Sequence, residues 1–148
     1  MTVGKTLRIA VKAHRGQLEG HGLPYALHPI RIMLRMRTND ERIVALLHDV
    51  VEHSAWTFKD LRKEGFRGRI VRAVEHLTKR PGEDYDDYIA RVRPHRLARA
   101  VKIGDLRDNL EQCRGPRQTA KDRRRIARYK AALAKLQDRG WRKSTIQK

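Results

Sequence analysis

The run Ile43-Val44-Ala45-Leu46-Leu47-His48-Asp49-Val50-Val51-Glu52-His53 decides how the rest of the chain is read. Ile43 through Val51 is apolar on nearly every side, which predicts a buried helix. Into that helix the sequence sets an imidazole and a carboxylate, which need partners once water is stripped from them. A divalent cation is one such partner. His48 and Asp49 are adjacent and point about 100° apart on a helix, so they would meet one ion only at neighbouring coordination positions. Glu52, four residues after His48, shares its side and would work beside the ion. The same dipeptide can also be a core pair that satisfies itself and nearby backbone, and His-Asp alone does not separate the two.

A chain of 148 residues suits one domain with one sizeable core, expected over 1–139 with a polar basic tail at 140–148. Its formal charge of +18 predicts attraction to phosphate-rich partners: nucleic acid, anionic lipid or a polyphosphorylated nucleotide. Arginines spread over solvated faces would give the same number. The single cysteine, Cys113, fits a reducing compartment, and its polar neighbours suggest no chemistry for it. No apolar run approaches the ~20 residues of a membrane span, and no signal-peptide core with a cleavage site opens the sequence. A cytoplasmic protein that does not engage membranes is the expectation. The sequence has no internal repeat, glycine-rich nucleotide fingerprint, zinc-type cysteine pair or serine nucleophile motif.

Helical periodicity recurs along the chain. Leu7, Ala10, Val11 and His14 form a first inner stripe that ends in an imidazole. The segment from Gly16 to Pro24 is a glycine-rich loop. Pro29 pushes His28 out of helical geometry and suits the start of a second helix from Ile30 to about Met36, with His28 at its N-terminus. Asn39 or Asp40 is expected to cap the buried third helix, and Thr57 with Asp60 forms the acidic kind of capping box for a fourth. Ile70, Val71, Val74 and Leu77 mark a fifth, and Glu83 to Val92 a sixth. Thr119 opens a last helix whose Ile126, Tyr129, Leu133 and Leu136 lie beneath a basic face, with Gly140 closing it. Sustained strand alternation is missing. The fold class is all-α, a single-domain bundle of about seven or eight helices.

The helix expected from Pro94 to Leu110 carries the second informative feature. Leu97, Val101 and Asp105 stand at successive i+4 spacings, so a carboxylate interrupts an inward-facing row that Asn109 continues. A ligand role and a salt bridge to an arginine account for Asp105 equally well at this stage.

Taken together, Ala13-His14-Arg15-Gly16-Gln17, Pro24-Tyr25-Ala26-Leu27-His28-Pro29, Ala45 to Glu52, Leu77-Thr78-Lys79 and Val101-Lys102-Ile103-Gly104-Asp105 with Asn109 resemble the HD-domain metal phosphohydrolases. Within them the small alarmone hydrolases, similar to the hydrolase half of the stringent-response enzymes, match best. The resemblance spans roughly residues 5 to 138 and implies an HD-fold helical bundle. It further implies a divalent metal, manganese above all, held by His28, His48, Asp49 and Asp105. The implied reaction removes the 3′-pyrophosphate of guanosine tetra- or pentaphosphate. Glu52 and His53 occupy the places of the acidic pair that handles the attacking water. Asn109 and Tyr129 match substrate-contacting positions, and Arg15, Gln17, His21, Lys79 and Lys102 are expected beside the phosphates.

Two departures from the family pattern stand out. His53 replaces the second acid of the pair; imidazole still exchanges protons near its unperturbed pKa of ~6.5. In the loop, relatives carry a basic residue or an Arg-Lys pair that clamps the nucleotide, whereas this chain has Glu19 and Gly20. A carboxylate facing a polyphosphate would repel it. The alternatives are therefore an HD hydrolase acting on another nucleotide, such as an adenosine alarmone or a dinucleotide phosphate, or a weakened domain that binds nucleotide or nucleic acid. For nucleic acid the last helix offers Lys121, Arg123, Arg124, Arg125, Arg128 and Lys135, with no aromatics between them beyond Tyr129 for base stacking. The sequence does not reveal an oligomeric state.

Overall fold

The computed structural model describes residues 1–115 and 117–140, so Pro116 and the tail read at 141–148 lie outside the described residues. Nine helical segments follow one another among the described residues: α1 (Val3–Ala13), α2 (Leu27–Arg35), α3 (Asn39–Leu47), α4 (Val50–His53), α5 (Phe58–Lys63), α6 (Gly68–Leu77), α7 (Tyr85–Val92), α8 (Arg96–Gln112) and α9 (Ala120–Gln137). No strand occurs among the described residues; one isolated bridge pairs Leu18 with Pro24 across the glycine-rich loop. No helix among the described residues is long and apolar enough to cross a membrane.

The centre of the bundle is α3. Ile43, Val44, Ala45, Leu46 and Leu47 are all buried, so this helix has no solvent face over its last five residues. It packs against α1, α2, α6 and α8. Each of its Val, Leu and Ile side chains contributes about 1.5–3 kcal/mol by leaving water. Its start is set by Thr38, one residue before the expected cap: the Thr38 hydroxyl accepts from the Glu41 amide and the Glu41 carboxylate returns to the Thr38 amide. Thr57 with Asp60 and Thr119 with Asp122 repeat the same reciprocal cap at α5 and α9.

The helices expected at Pro94 to Leu110 and Glu83 to Val92 run instead from Arg96 to Gln112 and from Tyr85 to Val92, and two further departures from expectation lie at the site. The second helix starts at Leu27, not Ile30, because Pro29 falls in the first turn, where its missing N–H has no intrahelical acceptor to disappoint. His28 is therefore helical. The continuous helix expected through His48 and Asp49 is instead broken there: α3 ends at Leu47, Asp49 sits at φ −108°, ψ −2°, and α4 restarts as a single turn. The imidazole of His48 reaches the Ala45 carbonyl (Nδ1 to O, 2.6 Å) at this interruption.

Gly104 lets α8 settle onto α2. A Cβ there would lie 2.9 Å from Met36 Cε and 3.1 Å from Ile32 Cγ2, too close for any larger residue without movement. This close approach carries Asp105 to His28.

Candidate metal centre

Four side chains from three separated stretches converge. His28 comes from the first turn of α2, His48 and Asp49 from the break between α3 and α4, and Asp105 from the middle of α8. Nε2 of His28 and of His48 and a carboxylate oxygen of Asp49 lie within 4.8 Å of one another. Asp105 Oδ1 stands 3.0 Å from His28 Nε2 and 3.6 Å from His48 Nε2. Asp49 Oδ2 is 3.0 Å from His48 Nε2 and 3.8 Å from His28 Nε2. His28, His48 and Asp105 are buried and Asp49 is nearly so.

Each ligand atom has a partner behind it. His28 Nδ1 donates to Asp108 Oδ2 at 2.7 Å, and Arg31 grips both oxygens of that carboxylate (Nε to Oδ1 2.8 Å, Nη2 to Oδ2 2.9 Å). His48 Nδ1 donates to the Ala45 carbonyl, which can only accept. Both rings therefore turn Nε2 toward the common point. The Tyr25 hydroxyl donates to Asp49 Oδ2 in a very short contact. Lys102 Nζ reaches Asp105 Oδ2 at 2.7 Å, and Asn109 Nδ2 donates to Asp105 Oδ1 at 3.1 Å.

The electrostatics follow from the crowding. Burial alone would raise Asp105 and Asp49, but Lys102 and the two imidazoles hold Asp105 well below the usual carboxylate range, and His48 does the same for Asp49. Burial alone would lower His28; its hydrogen bonds to Asp105 and Asp108 overcome that and carry it up to about 9. His48 is raised as well, its burial outweighed by Asp49 and Asp105. Protons on these rings and a cation compete for the same lone pairs.

The residues present fit a divalent cation. Nε2 of His48 is buried and, despite its closeness to two carboxylates, has no hydrogen bond of acceptable geometry. Two imidazole nitrogens and two carboxylate oxygens suit a borderline or hard first-row ion. Cys113 takes no part in the cluster.

A cavity of about 250 Å³ opens on this cluster, and Glu52, His53, Lys79, Lys102, Asn109 and Tyr129 also line it. Glu52 is raised above an ordinary carboxylic acid, first by burial and then by Asp49. Asp49, Glu52 and His53 each bring a ligand atom within 4.8 Å of the others, and His53 Nε2 lies 3.9 Å from Asp49 Oδ1. A second cavity of about 500 Å³ adjoins the first, sharing Tyr25, His28, Asn109 and Tyr129. His21 lines it, and so does Cys113, for which the sequence suggested no role.

Two expected phosphate neighbours are not at either cavity. Arg15 is exposed and lines neither one. Gln17 is a strut, bonded to His14 Nδ1 (2.9 Å) and donating to the His53 carbonyl (2.6 Å). Glu19 also departs from expectation. Its carboxylate lines the larger cavity but is held by the Arg31 guanidinium and by His21 Nε2 at 3.2 Å, so much of its repulsion is neutralised. Sequence reasoning missed Tyr25, Arg31 and Asp108. Asp108 stands three residues after Asp105 on α8, a spacing that shares a helical face and was there to be read, whereas Tyr25 lies in the turn before α2.

The fold defines the class. A solved structure of a metazoan ortholog of SpoT, a protein that hydrolyzes ppGpp and plays a role in starvation responses, superposes with a TM-score of 0.78 at 22% identity, covering 95% of this chain and 87% of that one. The chain thus shares the all-helical fold of that protein. By sequence it is similar to (p)ppGpp pyrophosphohydrolases. It is 26% identical over 121 residues to guanosine-3′,5′-bis(diphosphate) 3′-pyrophosphohydrolase of Aquifex aeolicus, a match covering 74% of this chain and 17% of the relative. It is 35% identical over 75 residues to the protein of that name from Haemophilus influenzae, covering 48% of this chain and 11% of the relative. The chain thus matches less than a fifth of the length of these curated relatives. No family model matches it.

Proposed function

We propose that the chain is a metal-dependent pyrophosphohydrolase that removes the 3′-pyrophosphate from guanosine tetra- or pentaphosphate, with His28, His48, Asp49 and Asp105 as ligands and manganese as the resident ion. The observation that carries the reading is that His28, His48 and Asp49 bring ligand atoms within 4.8 Å of one another while Asp105 Oδ1, from α8, stands within 3.6 Å of both imidazoles, beside a cavity. The names of the Aquifex and Haemophilus relatives supply the substrate.

A divalent cation held there supplies Lewis acidity, acidifying nearby water and drawing charge from phosphoryl oxygens. The protein does the rest. Glu52 and His53, at the edge of the cavity, take the proton of the attacking water, and the raised pKa of Glu52 makes it a stronger base than a free carboxylate. As the bond from water oxygen to phosphorus forms, the bond from phosphorus to the ribose 3′ oxygen breaks. That oxygen leaves with the proton that Glu52 and His53 took from the water, and pyrophosphate is the second product. Lys79 offsets phosphate charge, while Asn109 and Tyr129, common to both cavities, hold the nucleoside between them.

A second reading keeps the centre and changes the nucleotide. It is favoured by Glu19, a carboxylate on the larger cavity where the resembled family clamps the nucleotide with cations. One panel tests both: manganese-loaded protein with guanosine tetraphosphate, its adenosine counterpart and a ribose-phosphorylated dinucleotide, scoring pyrophosphate against phosphate. GDP with pyrophosphate is the expected result. Phosphate release from the dinucleotide would select the second reading, and no turnover of any of them would overturn both.

A further inference from the structure

The 250 Å³ cavity has a feature that neither the four ligand candidates nor the proton-handling pair use. Tyr85, the first residue of α7, lines it, and its hydroxyl is buried without a hydrogen-bond partner among the described residues. Tyr88, one turn further on and edge-to-face with it at 6.0 Å between ring centres, shows the contrast: its hydroxyl donates to the Leu77 carbonyl at 2.6 Å. One phenol is satisfied by the fold and its neighbour is not.

Cations surround the unsatisfied one. The Arg128 guanidinium lies 4.7 Å from the centre of the Tyr85 ring, and Lys79 and Arg128 line the same cavity. Lys102 is engaged by Asp105, whereas neither Lys79 nor Arg128 makes an ion pair among the described residues. Lys79 is also held in place from behind. Arg91 donates to the carbonyls of Glu75, His76 and Thr78 and pairs with Glu83, which ties down the segment between α6 and α7. Burial, the largest influence on the Tyr85 phenol, pushes it up, so it is a protonated donor at neutral pH. A residue with an unsatisfied donor that lines one polar cavity with two cations free of ion pairs makes a set complementary to an oxyanion.

We propose that the Tyr85 hydroxyl, together with Lys79 and Arg128, is a phosphoryl-binding element that donates to a non-bridging oxygen of the pyrophosphate group entering the cavity. This rests on the reading that a phosphoryl group is the ligand there, but not on which nucleotide carries it. The function of Tyr85 is then to hold the group against the His-Asp cluster, and its lack of a partner is the condition the ligand repairs.

The test is Tyr85→Phe in the full chain loaded with manganese, titrated calorimetrically with inorganic pyrophosphate and melted without it. The expected result is roughly tenfold weaker pyrophosphate binding, about 1.4 kcal/mol, with a Tm equal to or above that of the parent, because the change deletes an unsatisfied buried hydroxyl. Unchanged affinity would overturn the inference. So would a parent protein that binds no pyrophosphate, or a lowered Tm, which would make the hydroxyl a structural group. Tyr85-dependent pyrophosphate binding without turnover of guanosine tetraphosphate keeps this inference and removes the proposed substrate; turnover with Tyr85-independent binding does the reverse.

Discussion

The floor of the cavity and its rim are built on opposite principles. On the floor, His28 and Asp105 come from helices and His48 and Asp49 from the break between α3 and α4, and each is oriented by a fixed partner: Asp108, Lys102, the Ala45 carbonyl and Tyr25 respectively. At the rim, Gly20, His21, Arg114, Arg117 and Gln118 are exposed and sit on segments between helices. Removing one member of a buried pair strands the other and costs about 3–5 kcal/mol, whereas an exposed pair is worth about 0–1 kcal/mol. On the proposed function, chemistry would sit where charges cannot rearrange, and selection of the ligand where they can. Arg31 joins the two regions, gripping Asp108 of the floor and Glu19 of the rim.

This contrast yields graded expectations. Asp105→Asn should have the largest effect, abolishing manganese binding and cutting turnover by more than about 100-fold, beyond what changes to orienting partners cost. Calorimetry and a pyrophosphate-release assay read this, with circular dichroism to confirm that helix content is kept; surviving activity would mean that the floor is not the engine. Asp108→Asn comes next. It keeps an acceptor for His28 Nδ1 but deprives Arg31 of one of its two charge partners, and should weaken manganese binding by roughly 10–100-fold. A smaller loss than at the rim would erase the distinction between the regions. Glu19→Gln should have the mildest effect and the opposite sign: manganese affinity should stay within about twofold, because Arg31 keeps Asp108 as a partner, while KM for a pyrophosphorylated nucleotide falls a few-fold as a carboxylate on the larger cavity is removed. A collapse of kcat in that variant would place Glu19 on the floor instead.

Much of the floor was legible because it violates local pattern. Polar groups in an apolar helix at His48 and Asp49, and a carboxylate in the row Leu97, Val101, Asp105, are conspicuous since burying them needs a reason. The caps at Thr57 and Thr119 were equally readable, being local hydrogen-bond patterns of three residues. What resisted reading depends on neighbours distant in sequence. Gln17 sits in a motif with Arg15 and was expected at the phosphates, yet its amide bonds the His53 carbonyl 36 residues away. Tyr85 and Tyr88 look alike in the sequence, and only the position of the Leu77 carbonyl tells them apart.

By itself the sequence determined that the chain is helical and which residues could not lie idle in its core, because periodicity and the cost of buried charge act locally. Only the tertiary structure decided that helix α3 breaks at Asp49, that Gly104 brings α8 within reach of His28, and that Glu19 turns to Arg31. Each of these depends on which surfaces meet, and a single chain position carries no record of the partner that packing will bring to it.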